Sequence, residues 1–297
     1  MLNRLQPRPG ALFIDGTLGA GGHTAGILAA TAPDGRVLAF DKDAEAIAFA
    51  QGRLAAYGDR LTAVNQSYAQ MAEVAPALGF DQVDGILLDL GLSSRQLDDG
   101  QRGFSFMQAG PLDMRFDQSK GETAADLVNN LTEAELADLF WRYGEEKQSR
   151  KIARIIVANR PLTTTDQLAA LIVAHSGKRR RRMHPATLVF QALRIAVNEE
   201  LEAVETGIPA AISLLKPGGR VAVISFHSLE DRFVKRLFRQ LSQDCICPPA
   251  QPICTCSAKA TLKLVTRKAV QASEAEICAN PRSRSARLRV AEKLADD

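Results

Sequence analysis

Three features that mark specialised classes of protein are scarce or missing in this sequence. No apolar run approaches the roughly 20 residues that a membrane-spanning helix needs, and residues 1–7 lack the apolar core of a signal peptide. Five cysteines in 297 residues are too few for a disulfide-stapled scaffold, and 21 Gly with 13 Pro are too few for a collagen-like or disordered chain. We therefore expect a globular, cytoplasmic protein with one large domain or, more in keeping with its length, two.

The sequence also lacks a large excess of one sign of charge, because its net charge is only +3. The charges are, however, unevenly distributed along the chain. Residues 1–100 contain 7 Lys or Arg against 12 Asp or Glu, whereas residues 231–297 contain 13 against 7. A basic C-terminal part predicts a polyanionic partner that is held mainly by this end. A basic tail that only aids solubility is the alternative.

The first hundred residues alternate between short apolar runs and helical patterns. The runs at 11–14, 36–40, 61–64 and 86–88 predict four strands, and the residues between them predict helices. Continuous apolar strands separated by helices indicate a parallel sheet that is covered on both faces. The chain is therefore predicted to begin as an α/β domain.

Between about 105 and 215 the sequence shows only helical patterns. A capping box at Thr132–Glu135 begins one helix. The last and longest helix of this segment is predicted to run continuously through 193–204, where apolar residues recur at helical spacing. This middle segment is therefore predicted to be all-helical.

The strand pattern returns near the C-terminus, at 220–225, 262–265 and 288–291. The simplest topology is one parallel sheet interrupted by a helical insertion of roughly 100 residues, because loops between strands and helices normally have only a few residues. The predicted segments are the first part of the α/β domain at 1–104, an inserted helical domain at 105–212, and the second part, with a basic end, at 213–297.

A glycine-rich turn, DGTLGAGGH at 15–23, joins the first strand to the first helix. Glycines there let the backbone approach a ligand closely, and the helix behind them offers free N–H groups. Asp41 follows 20 residues after Gly21, at the end of the second strand. A carboxylate at that place can accept both ribose hydroxyl protons, so the pattern predicts a nucleotide site.

The spacing of these glycines differs from the G-x-G-x-x-G of pyrophosphate-binding dehydrogenases. A carboxylate at the first turn, Asp15, would repel phosphates but suits a cationic sulfonium ligand. The sequence KPGG at 216–219 is similar to the turn common in methyltransferases of this fold. These observations favour S-adenosylmethionine over NAD as the cofactor, with an NAD-dependent oxidoreductase as the alternative.

Asp89 closes the fourth strand, at the carboxyl edge where open α/β sheets bind ligands. In amino-group methyltransferases this edge faces both the methyl donor and the target. Asp89 is therefore the candidate catalytic residue, either as acceptor of an amine hydrogen or as organiser of the donor. A carboxylate that only caps the next helix is the alternative.

Seven blocks of the sequence carry a family resemblance: DGTLGAGGH (15–23), DGILLDLGLSS (84–94), RGFSFM (102–107), GPLDMR (110–115), HPAT with FQALRI (184–187 and 190–195), SFHSLEDR (225–232) and NPRSRS (280–285). In this order they span nearly the whole chain. They resemble the MraW/RsmH family, the bacterial methyltransferases that act on N4 of a cytidine in 16S ribosomal RNA.

The resemblance implies an α/β, class I S-adenosylmethionine-dependent methyltransferase (Rossmann-like) fold with an inserted all-helical substrate-recognition domain. It also implies methylation of N4 of a specific cytidine in the 16S rRNA of the small ribosomal subunit. That RNA would be the partner, with neither DNA nor a membrane involved. A non-catalytic rRNA-binding assembly factor that retains the fold is the alternative.

The resemblance further implies which residues bind the donor. The matching positions assign the methionine portion to Gly21, Gly22 and His23, the ribose to Asp41, the adenine to Tyr68, and the rest of the pocket to Asp89 and Gln96. Tyr68 stands where the family has Phe, and stacking should survive that change. Family members usually begin with a His-x-Pro-Val-Leu-Leu-x-Glu stretch before the helix at which this sequence starts. We therefore expect either a misplaced start or a site that lacks one wall.

An RNA base must leave its stack to reach such a pocket. The candidates to sandwich it, each of which also fits a plain packing role, are Phe104, Phe106, Phe226 and His227. The basic residues that are candidates for phosphate contacts are the run Lys178–Arg182 together with Arg282, Arg284, Arg287 and Arg289.

Four of the five cysteines form two C-x-C pairs, Cys245 with Cys247 and Cys254 with Cys256. Together they could make a tetrathiolate zinc site, although C-x-x-C is the usual spacing. Disulfides are not expected in a reducing cytosol. Unliganded thiols are the alternative, and we assign no metal ligand from the sequence.

Overall fold

The computed structural model describes residues 1–176, 184–247, 251 and 253–295. The chain forms two compact units. The first comprises Met1–Gly91 with Glu202–Asp297, and the second comprises Leu92–Leu201. None of the described helices is both long enough and apolar enough to cross a membrane.

All strands of the described chain lie in the first unit: β1 (Leu12–Asp15), β2 (Arg36–Phe40), β3 (Leu61–Val64), β4 (Val83–Asp89), β5 (Leu215–Ser225), β6 (Leu262–Leu264), β7 (Val270–Gln271) and β8 (Arg287–Lys293). They form one sheet in the order β3-β2-β1-β4-β5-β8-β6, and β7 pairs with β8. Strands β1 to β5 are parallel. This doubly wound order confirms the predicted Rossmann-like α/β fold class.

The direction of β8 corrects the prediction of a wholly parallel sheet. β8 pairs antiparallel with both β5 and β6. A parallel neighbour requires a crossover connection, usually a full helix, whereas an antiparallel strand can return directly. The chain between β6 and β8 holds only β7, a six-residue helix and a short 3-10 turn, so the last strand returns antiparallel.

The α-helices are, in chain order, α1 (Leu2–Leu5), α2 (Gly22–Ala30), α3 (Ala44–Arg53), α4 (Met71–Ala77), α5 (Ser94–Asp98), α6 (Ala124–Asn130), α7 (Glu133–Gly144), α8 (Ser149–Ala158), α9 (Thr165–His175), α10 (Thr187–Asn198), α11 (Glu200–Leu214), α12 (Ser228–Leu241) and α13 (Glu274–Ala279). Helices α5 to α10 belong to the second unit. Most of α11 belongs to the first unit, together with the remaining helices.

Successive residues of β4 are buried in two different apolar cores. Ile86 and Leu88 belong to a cluster that includes Ile14, whereas Leu87 belongs to a cluster that includes Phe13. All five side chains are at most 1% exposed. A strand that is buried on both faces must be apolar at every position, which explains the continuous apolar runs of the sequence.

The second unit is built of helices around its own core, in which Phe140, Ile152, Leu168 and Leu193 are buried. Its only extended pairing among the described residues is an isolated bridge. The all-helical prediction is therefore confirmed there. The predicted capping box of α7 is also present, because the Glu135 N–H donates to Thr132 Oγ1 at 3.3 Å and the Thr132 N–H donates to Glu135 Oε2 at 2.8 Å.

The long helix predicted through 193–204 is wrong, because the chain breaks there into α10 and α11. Glu199 adopts a left-handed φ of 52° between them. The buried Asn198 amide donates to the Met114 carbonyl at 2.7 Å, and its oxygen accepts the Phe116 N–H, also at 2.7 Å. These contacts bind the end of α10 to a loop of the same unit. The spacing of apolar residues along the sequence does not predict such contacts.

The boundaries of the helical unit also differ from the predicted 105 and 212. The unit begins at Leu92 and ends at Leu201. Phe104 packs in the helical core, whereas Val204 and Ile208 of α11 pack in the core of the sheet. An apolar helix face does not reveal which of two cores it joins, so the sequence pattern placed both boundaries about a dozen residues too late.

Candidate active site

Aspartates stand at the carboxyl ends of three neighbouring parallel strands. Asp15 ends β1, Asp41 directly follows β2, and Asp89 ends β4. Parallel strands end at the same edge of a sheet, and these three are adjacent in the order β2-β1-β4. Their carboxylates therefore lie along one edge, where the strand order reverses and where open α/β sheets bind ligands.

Asp15 is enclosed by the glycine-rich turn. It is fully buried and accepts hydrogen bonds from the Thr17 N–H at 3.0 Å and from Thr24 Oγ1 at 2.6 Å. Burial raises the pKa of Asp15, although these hydrogen bonds act to lower it. The enclosed carboxylate holds the turn in shape, and its preference for a sulfonium over a phosphate stays a prediction.

The two predicted glycines begin α2. Gly21 is the N-cap of α2 with a left-handed φ of 77°, a conformation that favours glycine. Gly22 is exposed, and a Cβ built there would meet no described atom within 4 Å. The turn therefore presents open space beside the first free N–H groups of the helix.

Asp41 links the end of β2 to the glycine-rich turn. Its Oδ2 accepts the Gly19 N–H at 2.8 Å, and its Oδ1 accepts the Asp43 N–H at 2.9 Å. Burial raises the pKa of Asp41 to about 6, although these two hydrogen bonds act to lower it. Each oxygen keeps a further lone pair, so the carboxylate can still accept two ligand hydroxyls.

His23 and Asp89 are brought together across the turn. His23 Nε2 lies 3.3 Å from Asp89 Oδ2, and the hydrogen bond to Asp89 raises the pKa of His23. The Asp89 N–H donates to Thr17 Oγ1 at 2.7 Å, which fixes the backbone at the end of β4. Asp89 Oδ1 is buried and has no hydrogen-bond partner in the described structure.

Tyr68 begins a short 3-10 turn after β3 and is half-buried. Its ring edge lies against the backbone of α11, because a Cβ added at Gly207 would sit only 2.4 Å from Tyr68 Cδ2. A glycine is therefore required at 207 for the ring to lie as it does. The contact fixes the ring within the first unit, and its stacking on adenine stays a prediction.

The sequence matches the MraW methylase family over residues 1–294. The chain belongs to this family. Among its relatives are proteins named ribosomal RNA small subunit methyltransferase H from Thermomicrobium roseum (54% identical, covering 100% of this chain and 92% of the relative), Citrifermentans bemidjiense (52%, covering 99% and 96%) and Geobacter sulfurreducens (50%, covering 99% and 96%).

Gln96, the remaining predicted donor ligand of this MraW-family chain, lies on α5 in the helical unit. Its Oε1 accepts the Ser93 N–H at 3.0 Å, and its own N–H donates to Ser93 Oγ at 3.3 Å. The side chain is buried in this capping box. Its part in binding the donor stays a prediction.

His227, which the sequence offered as a candidate to sandwich the base, and Glu230, to which the sequence assigned no role, form the cap of α12 directly after β5. His227 Nδ1 accepts the Glu230 N–H at 3.5 Å, and His227 Nε2 lies 3.1 Å from Glu230 Oε1. Glu230 Oε2 also accepts the Phe226 N–H at 2.9 Å. The sequence contains the signal for this cap, His-x-x-Glu before an amphipathic helix. It is a capping box in which His takes the place of the usual Ser or Thr.

The aromatic candidates of the helical unit are engaged in packing. Phe104 is 6% exposed and belongs to the core. Phe106 stacks on His184, with ring centroids 4.4 Å apart, and meets Phe190 edge-on at 5.2 Å. For Phe104 the packing role is therefore the correct one of the two that the sequence left open.

Two of the basic candidates are paired with an acid. Arg289 is buried, and its Nε donates to Asp231 Oδ1 at 2.7 Å, while Arg287 Nη1 lies 3.3 Å from Asp231 Oδ2. The predicted phosphate contact of Arg289 is thereby corrected. Arg282 and Arg284 are exposed, and the basic run at 178–182 lies outside the described residues.

Proposed function

We propose that this protein uses S-adenosylmethionine to methylate N4 of a cytidine in the 16S rRNA of the small ribosomal subunit. Membership of the MraW methylase family and the shared name of the relatives support methyl transfer to small-subunit rRNA. The choice of the N4 atom rests on the seven sequence blocks. The observation that carries the proposal is the sheet edge, where Asp41 and Asp89 keep hydrogen-bonding capacity beside the glycine-rich turn.

The residues of this edge fit S-adenosylmethionine. The two oxygens of Asp41 suit a ribose diol, because each can accept one hydroxyl in addition to its backbone N–H. The open space at Gly22 and the N-terminus of α2 suit the methionine portion, whose carboxylate favours free helical N–H groups. The half-buried ring of Tyr68 is assigned to the adenine.

The donor supplies an electrophilic methyl group on a sulfonium sulfur. The exocyclic amine of cytosine is a poor nucleophile, because its lone pair is delocalised into the ring. The Oδ1 atom of Asp89, which meets no hydrogen-bond donor among the described residues, can accept an N–H of that amine and so localise the lone pair. It can then take up the proton that the methylated nitrogen must release. His23 holds the other oxygen of Asp89 and so fixes the direction of the free one.

Positioning supplies much of the acceleration in such a transfer, because the nitrogen must stand in line with the methyl group at about 3 Å. The backbone of Asp89 is held by Thr17 and its side chain by His23, so the acceptor does not need to reorganise. A base in a folded rRNA must leave its stack to reach this edge. We propose the cytoplasm, where ribosomal subunits assemble, as the location.

A non-catalytic assembly factor is disfavoured, because a protein that transfers no methyl group has no use for the buried Asp89 Oδ1, which has no hydrogen-bond partner among the described residues. An NAD-dependent oxidoreductase is disfavoured by the family match and by the spacing of the glycines.

The deciding experiment incubates the purified protein with methyl-labelled S-adenosylmethionine and small ribosomal subunits that lack this modification, with free 16S rRNA in parallel. Mass spectrometry of the digested nucleosides should reveal N4-methylcytidine at one site. Label in any other nucleoside would refute the N4 assignment. Donor binding without transfer to either substrate would favour the assembly factor.

A further inference from the structure

A long connection joins α12 to β6 and carries four of the five cysteines. Its two ends are fastened together, because the Thr261 N–H donates to the Leu241 carbonyl at 2.9 Å and the Ala260 N–H donates to Asp244 Oδ1 at 3.0 Å. Its described residues belong to no helix or strand before β6. Long loops without regular structure are uncommon in compact domains and usually have a function of their own.

Apolar packing does not hold the described part of this loop, residues 242–247, 251 and 253–261. Its two isoleucines point outward, since Ile246 is 51% exposed and Ile253 is 73% exposed. The side chains that the loop does gather are its cysteines. The Sγ atoms of Cys245, Cys247, Cys254 and Cys256 all lie within 4.8 Å of one another.

The distances between these sulfur atoms decide what they can form. Cys254 lies 3.6 Å from Cys256 and 4.0 Å from Cys247, and Cys256 lies 3.8 Å from Cys245, measured between Sγ atoms. A disulfide needs about 2.05 Å. Four thiolates about 2.3 Å from a tetrahedral zinc ion are about 3.8 Å apart, which is close to these three distances.

We propose that Cys245, Cys247, Cys254 and Cys256 bind one structural zinc ion that holds this loop in its fold. Four sulfur ligands fill a tetrahedral zinc ion and leave no position for water or substrate, so the site is structural rather than catalytic. The Ile246 N–H donates to Cys256 Sγ at 3.4 Å, the kind of outer contact that orients a metal-bound thiolate. The metal thus takes the place of the core that the loop lacks.

The chain offers a matched control. Cys278 is exposed on α13, outside the cluster, and is the one cysteine without a place in it. Protein purified under reducing conditions in zinc-supplemented medium is expected to contain one zinc per chain by elemental analysis. The C278S variant should keep the metal, whereas the double variant C247S/C254S should lose it. Cobalt(II) in place of zinc should give the intense d–d bands of tetrahedral thiolate coordination.

A measurement on the unaltered protein guards against variants that fail to fold. Titration with a mercurial reagent, in the presence of a chromophoric zinc chelator, should release the zinc in step with four thiols and not with the fifth. Less than a tenth of an equivalent of zinc after reconstitution would overturn the proposal. So would iron in its place, retention of zinc by the double variant, or release that accompanies one thiol alone. Calorimetry with S-adenosylhomocysteine, which should bind the double variant normally, separates loss of metal from loss of fold.

Discussion

Donor binding is expected to weaken as the pH falls, because the Asp41 carboxyl that we assign to the ribose has a raised pKa in the free protein and is protonated at mildly acidic pH. Burial raises its pKa to about 6. Only the ionised carboxylate accepts two hydroxyls with charge-assisted hydrogen bonds, so the ligand selects that form. By linkage, a ligand that selects the ionised form loses affinity as the pH drops through the pKa of the free protein.

The size of the effect follows from that pKa. Nearly every Asp41 is ionised at pH 7.5, whereas only about one in eleven is ionised at pH 5. The apparent Kd is therefore expected to rise about tenfold between these two pH values, which corresponds to about 1.4 kcal/mol. The loss should begin near pH 6.5 and steepen to a tenfold change per pH unit below pH 5.

The assay is calorimetric titration with S-adenosylhomocysteine, the product, which is a thioether and lacks the sulfonium charge. This ligand is chosen because the hydrogen bond to Asp89 raises the pKa of His23, and a protonated His23 would repel a sulfonium. The Asp41→Asn variant is the control, with weaker binding at pH 7.5 but a flat profile down to pH 5. A flat profile in the unaltered protein, or an equally steep one in the variant, would remove Asp41 from the ribose site.

Three further outcomes are expected. Asp89→Asn should lower single-turnover methyl transfer at least tenfold, about 1.4 kcal/mol of barrier, while the Kd of S-adenosylhomocysteine changes little; near-normal transfer would exclude Asp89 as the acceptor. Asn198→Ala should destabilise the helical unit by about 2–4 kcal/mol, because it leaves the backbone groups of Met114 and Phe116 without their hydrogen-bond partner. Urea unfolding can be followed by the fluorescence of the single tryptophan, Trp141, and an unchanged midpoint of the transition would contradict this expectation. Replacing Arg179–Arg182 with glutamines should weaken rRNA binding and reduce, by up to about 3 units, the slope of log binding constant against log salt concentration. An unchanged slope would show that these arginines make no phosphate contacts.

The residues at the sheet edge could be predicted from the sequence, because one rule relates an apolar run to the position of the residue that ends it. Apolar runs that end in Asp41 and Asp89 predict strands, and the carboxyl ends of parallel strands meet at a single edge. Both aspartates lie where that rule puts them. The capping box of Thr132 was predictable for a similar reason, since it depends only on residues three positions apart.

Features that depend on tertiary partners were not predictable from patterns. The run at 288–291 reads as a strand in either direction, and only the connection before it makes β8 antiparallel. Glu199 breaks a helix that is apolar on both sides of it, because Asn198 bonds to a loop more than eighty residues away in sequence. Arg289 looked like a free cation until the fold placed Asp231 beside it. In each case the deciding contact joins distant parts of the chain.

The three carboxylates at the sheet edge show how one position in a fold can serve three purposes. One oxygen of Asp15 accepts a hydrogen bond from Thr17 of the turn and the other from Thr24 of α2, so both oxygens are engaged in holding the turn on the helix. Asp41 accepts one backbone N–H on each oxygen and keeps half of its capacity, which suits a ligand diol. Asp89 has one oxygen beside His23, and its other oxygen is buried and has no partner in the part of the chain that the structure describes. A buried acceptor without a hydrogen bond destabilises the folded state by about 1–3 kcal/mol. Proteins keep such groups at functional sites, where a bound ligand supplies the missing hydrogen-bond donor. The degree of hydrogen-bond satisfaction, rather than the position on the strand, is therefore the reason why we propose Asp89, and not Asp15 or Asp41, as the acceptor.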